Sequence, residues 1–340
     1  MEHQSEDKAM RYDIDKLLIQ HNELLGKLGA HITRHSEYLA EIEYSVPDTH
    51  KNRLFFLMPY EGVLISFSEI DRFIANSGTD PGIAFYKVIY SIEGRLEVYL
   101  PGMKKYAYME PGMIAVDKSD PDIRFVLPDR SYKQLGIYFS FDLMEPALRE
   151  TLGGIGITAE AFEGLIRQNG ACTVGIAAEK WKNTADELCR YIETSGGDSS
   201  ILFRFRLLTI ELMAELVSGG TAPLRPESYA SPGHRRIVFE AAGIIDGNFS
   251  SSFTIEELAE KVGSTASSLK KYFRSIYGIP IHRYIRSKRI EKAKQLLSST
   301  DMSIAQITEA VGYESHSKFS VLFREITGET PSEYRRLNKK

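Results

Sequence analysis

The C-terminal third of the chain repeats itself, and no other feature narrows its fold as much. Thr254-Ile255 and Val262-Gly263 correspond to Ser303-Ile304 and Val311-Gly312 at a spacing of 49 residues. Beyond that glycine the spacing becomes 50: Ser267/Ser317, Phe273/Phe323, Arg274/Arg324, Gly278/Gly328, Tyr284/Tyr334 and Arg286/Arg336. One extra residue in the second turn accounts for the change. A repeat of this kind is one supersecondary unit used twice.

Each copy reads as helix, tight turn, helix. In the first, Thr254 with Glu257 three residues on is a capping box, and Ile255, Leu258, Ala259 and Val262 form a helical stripe. Gly263 supplies the left-handed residue that ends the helix. Thr265 caps the next helix, whose apolar face is Leu269, Tyr272, Phe273 and Ile276. In the second copy Ile304, Ile307 and Val311 precede Gly312, Ser315 is the cap, and Phe319, Leu322 and Phe323 are the face. Gly278 and Gly328 stop both second helices.

This is the pattern of a helix-turn-helix, whose second helix enters the DNA major groove by its N-terminal residues. Those residues are Ser267, Ser268, Lys270 and Lys271 in one copy and His316, Ser317, Lys318 and Ser320 in the other. Small polar side chains permit close approach to base edges, and lysine donates to guanine acceptors. Between the copies, Pro280 opens a helix carrying Ile281, Ile285, Ile290, Ala293 and Leu297. Arg283, Arg286, Lys288, Arg289, Lys292 and Lys294 crowd its remaining faces and suit phosphates better than bases. Such a helix can set two recognition helices about one turn of DNA, roughly 34 Å, apart.

Charge agrees once it is divided. The chain of 340 residues has a formal net charge of −4, which taken whole argues against a polyanion partner. Residues 234–340 carry +6 and the rest −10. The sign changes at a Pro-, Gly- and Ser-rich stretch, 219–233, that reads as a linker.

The repeated segment resembles the DNA-binding domain of the AraC/XylS family of bacterial transcription regulators. The likeness rests on Ile255-Glu-Glu-Leu-Ala-Glu-Lys-Val-Gly263, on Arg289-Ile-x-x-Ala293-x-x-Leu-Leu, and on Ile304-Ala-Gln-Ile-Thr-Glu-Ala-Val-Gly-Tyr313. Phe319-Ser-x-x-Phe-Arg324 and Gly328-Glu-Thr-Pro-Ser-Glu-Tyr-Arg335 complete it. It covers about 100 residues and implies that Ser267, Lys270 and Lys271, then His316, Ser317, Lys318 and Ser320, contact bases. Arg289, Arg324 and Arg335 lie within the motifs and join the expected DNA contacts. Val321 departs from the pattern where a basic or polar residue is usual, which points the second helix toward backbone positioning.

Upstream, residues 1–50 read as an N-terminal arm with one helix-like run from Ile14 to Leu25. Residues 51–141 are dense in aromatic and β-branched residues, and Glu93-Gly94, Pro101-Gly102 and Pro111-Gly112 fall about ten apart, as in hairpins of a sandwich or barrel. Residues 142–218 change to helical period, with a hairpin of 178–194 and 200–217. In family terms this resembles a cupin-like β-barrel effector domain followed by dimerisation helices. The fold expected is therefore α+β: a cupin-like β-barrel with a helical hairpin at the N-terminus, and an all-α double helix-turn-helix domain over 234–340.

A barrel mouth can hold a small-molecule effector, lined by aromatics such as Phe56, Tyr99 and Tyr138 or met by Arg95, Lys104, Lys105, Arg124, Arg130 and Lys133. Trp181, Leu188, Ile192, Leu202, Phe205, Leu208, Leu212 and Leu216 form stripes that serve either a core or a dimer seam. A cupin enzyme needs several histidine ligands, and none of the eight lies between Lys51 and Gly233. No catalytic set, metal site or cofactor motif is expected. Cys172 and Cys189 read as buried thiols. The polar N-terminus and the lack of a run of about 20 apolar residues point away from membranes and to the cytoplasm.

The expectation is a regulator, more often an activator in this family, that binds double-stranded DNA as a homodimer, answers to a small molecule and can meet RNA polymerase. The rivals are a ligand-independent regulator, set by abundance or a protein partner, and a cupin-type enzyme.

Overall fold

Apolar residues alternating with polar ones make strands with one face inward, and the computed structural model has twelve in its first unit among the described residues. They are β1 (His31–Ser36), β2 (Leu39–Ser45), β3 (Lys51–Tyr60), β4 (Val63–Ile70), β5 (Tyr86–Gly94) and β6 (Leu96–Leu100). There follow β7 (Lys105–Met109), β8 (Met113–Asp117), β9 (Phe125–Val126), β10 (Tyr132–Phe139), β11 (Cys172–Ala177) and β12 (Thr221–Pro223). The structure describes residues 30–45, 51–70, 85–118, 125–127, 131–167, 172–194, 200–219, 221–223, 229–250 and 254–339. They fall into two units, Met1–Tyr229 and Ala230–Lys340.

Nine strands form one sheet in the order β1-β2-β3-β4-β10-β5-β8-β11-β12. In a second sheet β6 pairs with β7 and with β9. Ile89, Met113, Ala115, Cys172 and Val174 of the large sheet meet Leu96, Val98, Leu100, Ala107 and Met109 of the small one. Packing of this kind gives a two-sheet jelly-roll arrangement rather than a closed barrel.

The opposite face of the large sheet is covered by helices α1 (Pro146–Gly154), α2 (Ala159–Arg167), α3 (Glu179–Thr194) and α4 (Ser200–Val217). Strand alternation decides which residue faces which layer: Leu135, Ile137 and Phe139 of β10 join the helical side, whereas Tyr132 faces the small sheet. Tyr86, Phe139, Phe141 and Phe162 form an aromatic cluster within that helical layer, Tyr86 stacked on Phe139 and the others edge-on or tilted. The Trp181 indole N–H donates to the Leu212 carbonyl at 3.0 Å and joins α3 to α4.

Three differences from the sequence reading stand out. Strands β1 and β2 occupy 31–45, where an arm is expected; the helix-like run 14–25 lies outside the described residues. Strand β11 falls inside the segment read as helical, because its run of buried residues is too short to show a period. The sheet does contain histidines, His31 and His35, both exposed on its terminal strand β1.

The second unit consists of α5 (Pro232–Asn248), α6 (Ile255–Lys261), α7 (Ala266–Tyr277), α8 (Ile281–Ser299), α9 (Ile304–Ala310), α10 (His316–Thr327) and α11 (Pro331–Asn338). Ile290, Ala293 and Leu297 of α8 pack with Ile307, Val311, Phe319 and Phe323 of the second copy.

Candidate nucleic-acid interface

Local chemistry fixes both helix-turn-helix units. The Thr254 hydroxyl accepts from the Glu257 amide at 3.1 Å while the Glu257 carboxylate accepts from the Thr254 amide at 2.8 Å. Ser303 and Gln306 form the matching box at 3.2 and 2.7 Å. Thr265 caps α7 by accepting from the Ser268 amide, and Ser315 caps α10 by accepting from the Lys318 amide, each at 3.3 Å. Gly263 and Gly312 turn the chain at φ +65° and +82°. A third box, Thr330 with Glu333, opens α11 and was not read from the sequence.

Burial of Leu269, Phe273 and Ile276 directs the opposite side of α7 outward. Ser267, Lys270, Lys271 and Arg274, at helical steps of three and four, form one exposed stripe. Ser268, half-buried, donates its amide to the Thr265 cap and stands beside that stripe. In α10 the corresponding positions are Ser317, Val321 and Arg324, all exposed, and the half-buried Ser320, with His316 and Lys318 exposed at the N-terminal end. Each helix thus presents its expected contacts at the end that a major groove would receive.

Two of the expected contacts are committed elsewhere. Arg289 is half-buried, and its guanidinium donates from Nε to the Phe249 carbonyl at 2.8 Å and from Nη1 to the Gly312 carbonyl at 2.9 Å. It also lies 5.2 Å over the Tyr313 ring. Arg335 donates to the Met302 carbonyl. Arg289 ties the end of α5 to the turn after α9, and Arg335 ties α11 to the segment before α9, roles that motif position alone does not reveal.

One residue that the sequence reading passed over stands beside the first stripe. The His234 ring stacks on Tyr272 with centroids 3.5 Å apart, and the Lys271 ammonium lies 5.4 Å over that same tyrosine ring. Burial first, then Lys271, holds His234 below its usual 6.5. An approaching phosphate would act in the other direction.

In the first unit the candidate effector cations are partly spoken for. Arg95 pairs with Glu110, burial lowering its pKa to about 10; Lys133 pairs with Glu193 at 2.8 Å. Arg124 and Arg130 lie outside the described residues. Of the stripe read as core or seam, Trp181, Leu188, Ile192, Phe205, Leu208, Leu212 and Leu216 are buried in the unit's own core and Leu202 is half-buried against it.

Comparison with known proteins agrees with this geometry. Residues 258–337 match a family model described as a helix-turn-helix domain. The chain is 28% identical over 178 residues to an uncharacterized HTH-type transcriptional regulator, YisR, of Bacillus subtilis, covering 52% of this chain and 59% of that protein. It is 35% identical over 129 residues to the arabinose operon regulatory protein of Salmonella typhimurium, covering 38% of this chain and 46% of the relative. The solved C-terminal domain of AraT, a response regulator from Geobacillus stearothermophilus, is 33% identical, with 32% of this chain and 88% of that one covered and a TM-score of 0.30. The matches thus span about half the length of these two relatives. The C-terminal unit thus carries a helix-turn-helix domain.

Proposed function

We propose that this chain is a DNA-binding transcription regulator whose C-terminal unit reads an operator with two helices and whose N-terminal unit decides when. The observation that carries this reading is the pair of exposed, capped stripes on α7 and α10, repeated at a spacing of 50 residues. The basic excess of 234–340 supplies the attraction to phosphate. Ser267, Ser268, Lys270 and Lys271, with His316, Ser317, Lys318 and Ser320, are the residues assigned to the groove, and Arg324 to its edge.

Two features support the regulatory half. The large sheet carries buried polar residues: Asp117 of β8, fully buried, lies 3.2 Å from Lys87 of β5, and Ser66 and Ser68 of β4 and Ser91 of β5 are buried as well. They favour a small polar effector, whose binding would shift the arrangement presented to DNA.

Pairing of two copies is favoured by α4, which is apolar on two sides. Beyond its buried stripe, Phe203 and Leu207 are 67% and 44% exposed. With Ile210, Ala214 and Val217, which are half-buried against the unit's own core, they recur at steps of four and three, the spacing of a helix–helix seam. An antiparallel second copy would set Phe203 against Ala214 and Leu207 against Ile210, and bring Arg204, which pairs with Glu187 of its own chain, near Glu211 of the partner subunit. Large would meet small, and basic would meet acidic.

The deciding experiment is selection of duplexes from a randomised pool by the full-length chain, followed by titration of the enriched sequence. Lys271→Ala should cost roughly 1–3 kcal/mol and relax preference at one base pair. A chain that enriches no sequence is not the regulator proposed.

A further inference from the structure

The two reading stripes differ in chemistry at matched positions. Ser267 corresponds to Ser317 and Arg274 to Arg324, but Lys270 becomes Ser320 and Lys271 becomes Val321. Val321 is 60% exposed. It lines a groove of about 490 Å³ beside α10, with Tyr313 and Leu322 as further apolar lining and with Arg286 and Lys318 as cations. Glu325, one helical turn beyond Val321, also borders it.

We propose that Val321 reads a thymine by its 5-methyl group, so that the second helix selects a base by apolar contact where the first uses lysine donors. This rests on the DNA-binding reading above. Thymine alone among the four bases puts a methyl group in the major groove. Valine is stiff at χ1 in a helix and offers two methyls without a conformational search. The neighbouring stripe residues, Ser317 and Ser320, are small enough to let the backbone approach. Arg286 and Lys318 are placed for the flanking phosphates, and Glu325 repels phosphate from the far side, which fixes the direction of approach. Val321 therefore serves sequence choice, rather than marking a helix that only positions the backbone.

The test uses the duplex enriched by the full-length protein. Each thymine is replaced in turn by deoxyuridine, which removes the methyl group and nothing else. One replacement in the half bound by the second unit should weaken the wild type about fourfold, the effect of withholding one methyl-sized group from burial. Val321→Ala should bind the parent duplex about fourfold more weakly and be indifferent to that same replacement; Val321→Thr should retain part of the sensitivity. Equal responses of wild type and Val321→Ala to every replacement would overturn the proposal. So would a Val321→Ala variant with unchanged affinity but reduced transcription, which would make the groove a protein-docking surface. A wild type that enriches no duplex would instead overturn the DNA-binding reading beneath it.

Discussion

Replacing Arg289 by methionine separates a structural arginine from a DNA contact. The side chain joins the end of α5, through the Phe249 carbonyl, to the second turn, through the Gly312 carbonyl. Hydrogen bonds from a charged donor contribute about 1.5–3 kcal/mol each. Arg289 is half-buried, so water recovers part of the loss and the lower figure applies to both. The contact with Tyr313 adds about 0.5 kcal/mol, while methionine preserves the aliphatic packing. The sum is about 3.5 kcal/mol, or a fall of about 14–28 °C in the midpoint of a unit this size. The helical circular dichroism of the C-terminal unit should melt early, whereas fluorescence of Trp181, the single tryptophan and a residue of the other unit, should keep its midpoint. The reasoning fails if both midpoints stay put while affinity drops equally on all DNA sequences and the salt slope falls by about one. That result would make Arg289 a phosphate contact.

Two further outcomes follow from exposed or partly exposed groups. Leu207→Glu, placed in the outer stripe of α4, should turn a dimer into a monomer in sedimentation without shifting the Trp181 transition; a wild type that is already monomeric at micromolar concentration would refute the seam. His234 is held below 6.5 in the folded chain by burial and by Lys271, so the unfolded chain takes up its proton first. Stability should therefore be full above pH 6.5 and be lost as pH falls below it. His234→Phe, which keeps the stack on Tyr272, should remove that part of the acid sensitivity, and an unchanged pH profile would contradict the assignment.

The helical repeat was legible because its signals are local. A hydroxyl three residues before a Glu or Gln, and a glycine at a left-handed position, specify a helix boundary with no knowledge of the rest of the fold. The strands were legible where Gly and Pro punctuate them. Strand β11 was not, since its membership of the large sheet depends on a partner, β8, more than fifty residues away. The stripe of Phe203, Leu207 and Ile210 was hidden for a related reason. Helix α4 is apolar on two faces, and periodicity cannot say which of them the core will take. In the interface, exposure along α7 and α10 follows from the apolar face opposite, whereas the engagement of Arg289 and Arg335 depends on carbonyls distant in sequence.

Equivalence in a repeat is equivalence of backbone, not of support. Gly263 and Gly312 occupy the same place in their units and both have positive φ. Around Gly263, an added methyl group would find nothing within 4 Å among the described residues, so conformational strain is what opposes it. Around Gly312, the same methyl group would lie 2.4 Å from the Ser250 carbonyl oxygen, and Arg289 holds that turn from the other side. The second turn is therefore packed against the end of α5, whereas the glycine of the first leaves room beside it. A helix on an anchored turn is held in one orientation, which suits a base contact made by the short, stiff Val321. The long lysines of the first helix can instead search for their acceptors.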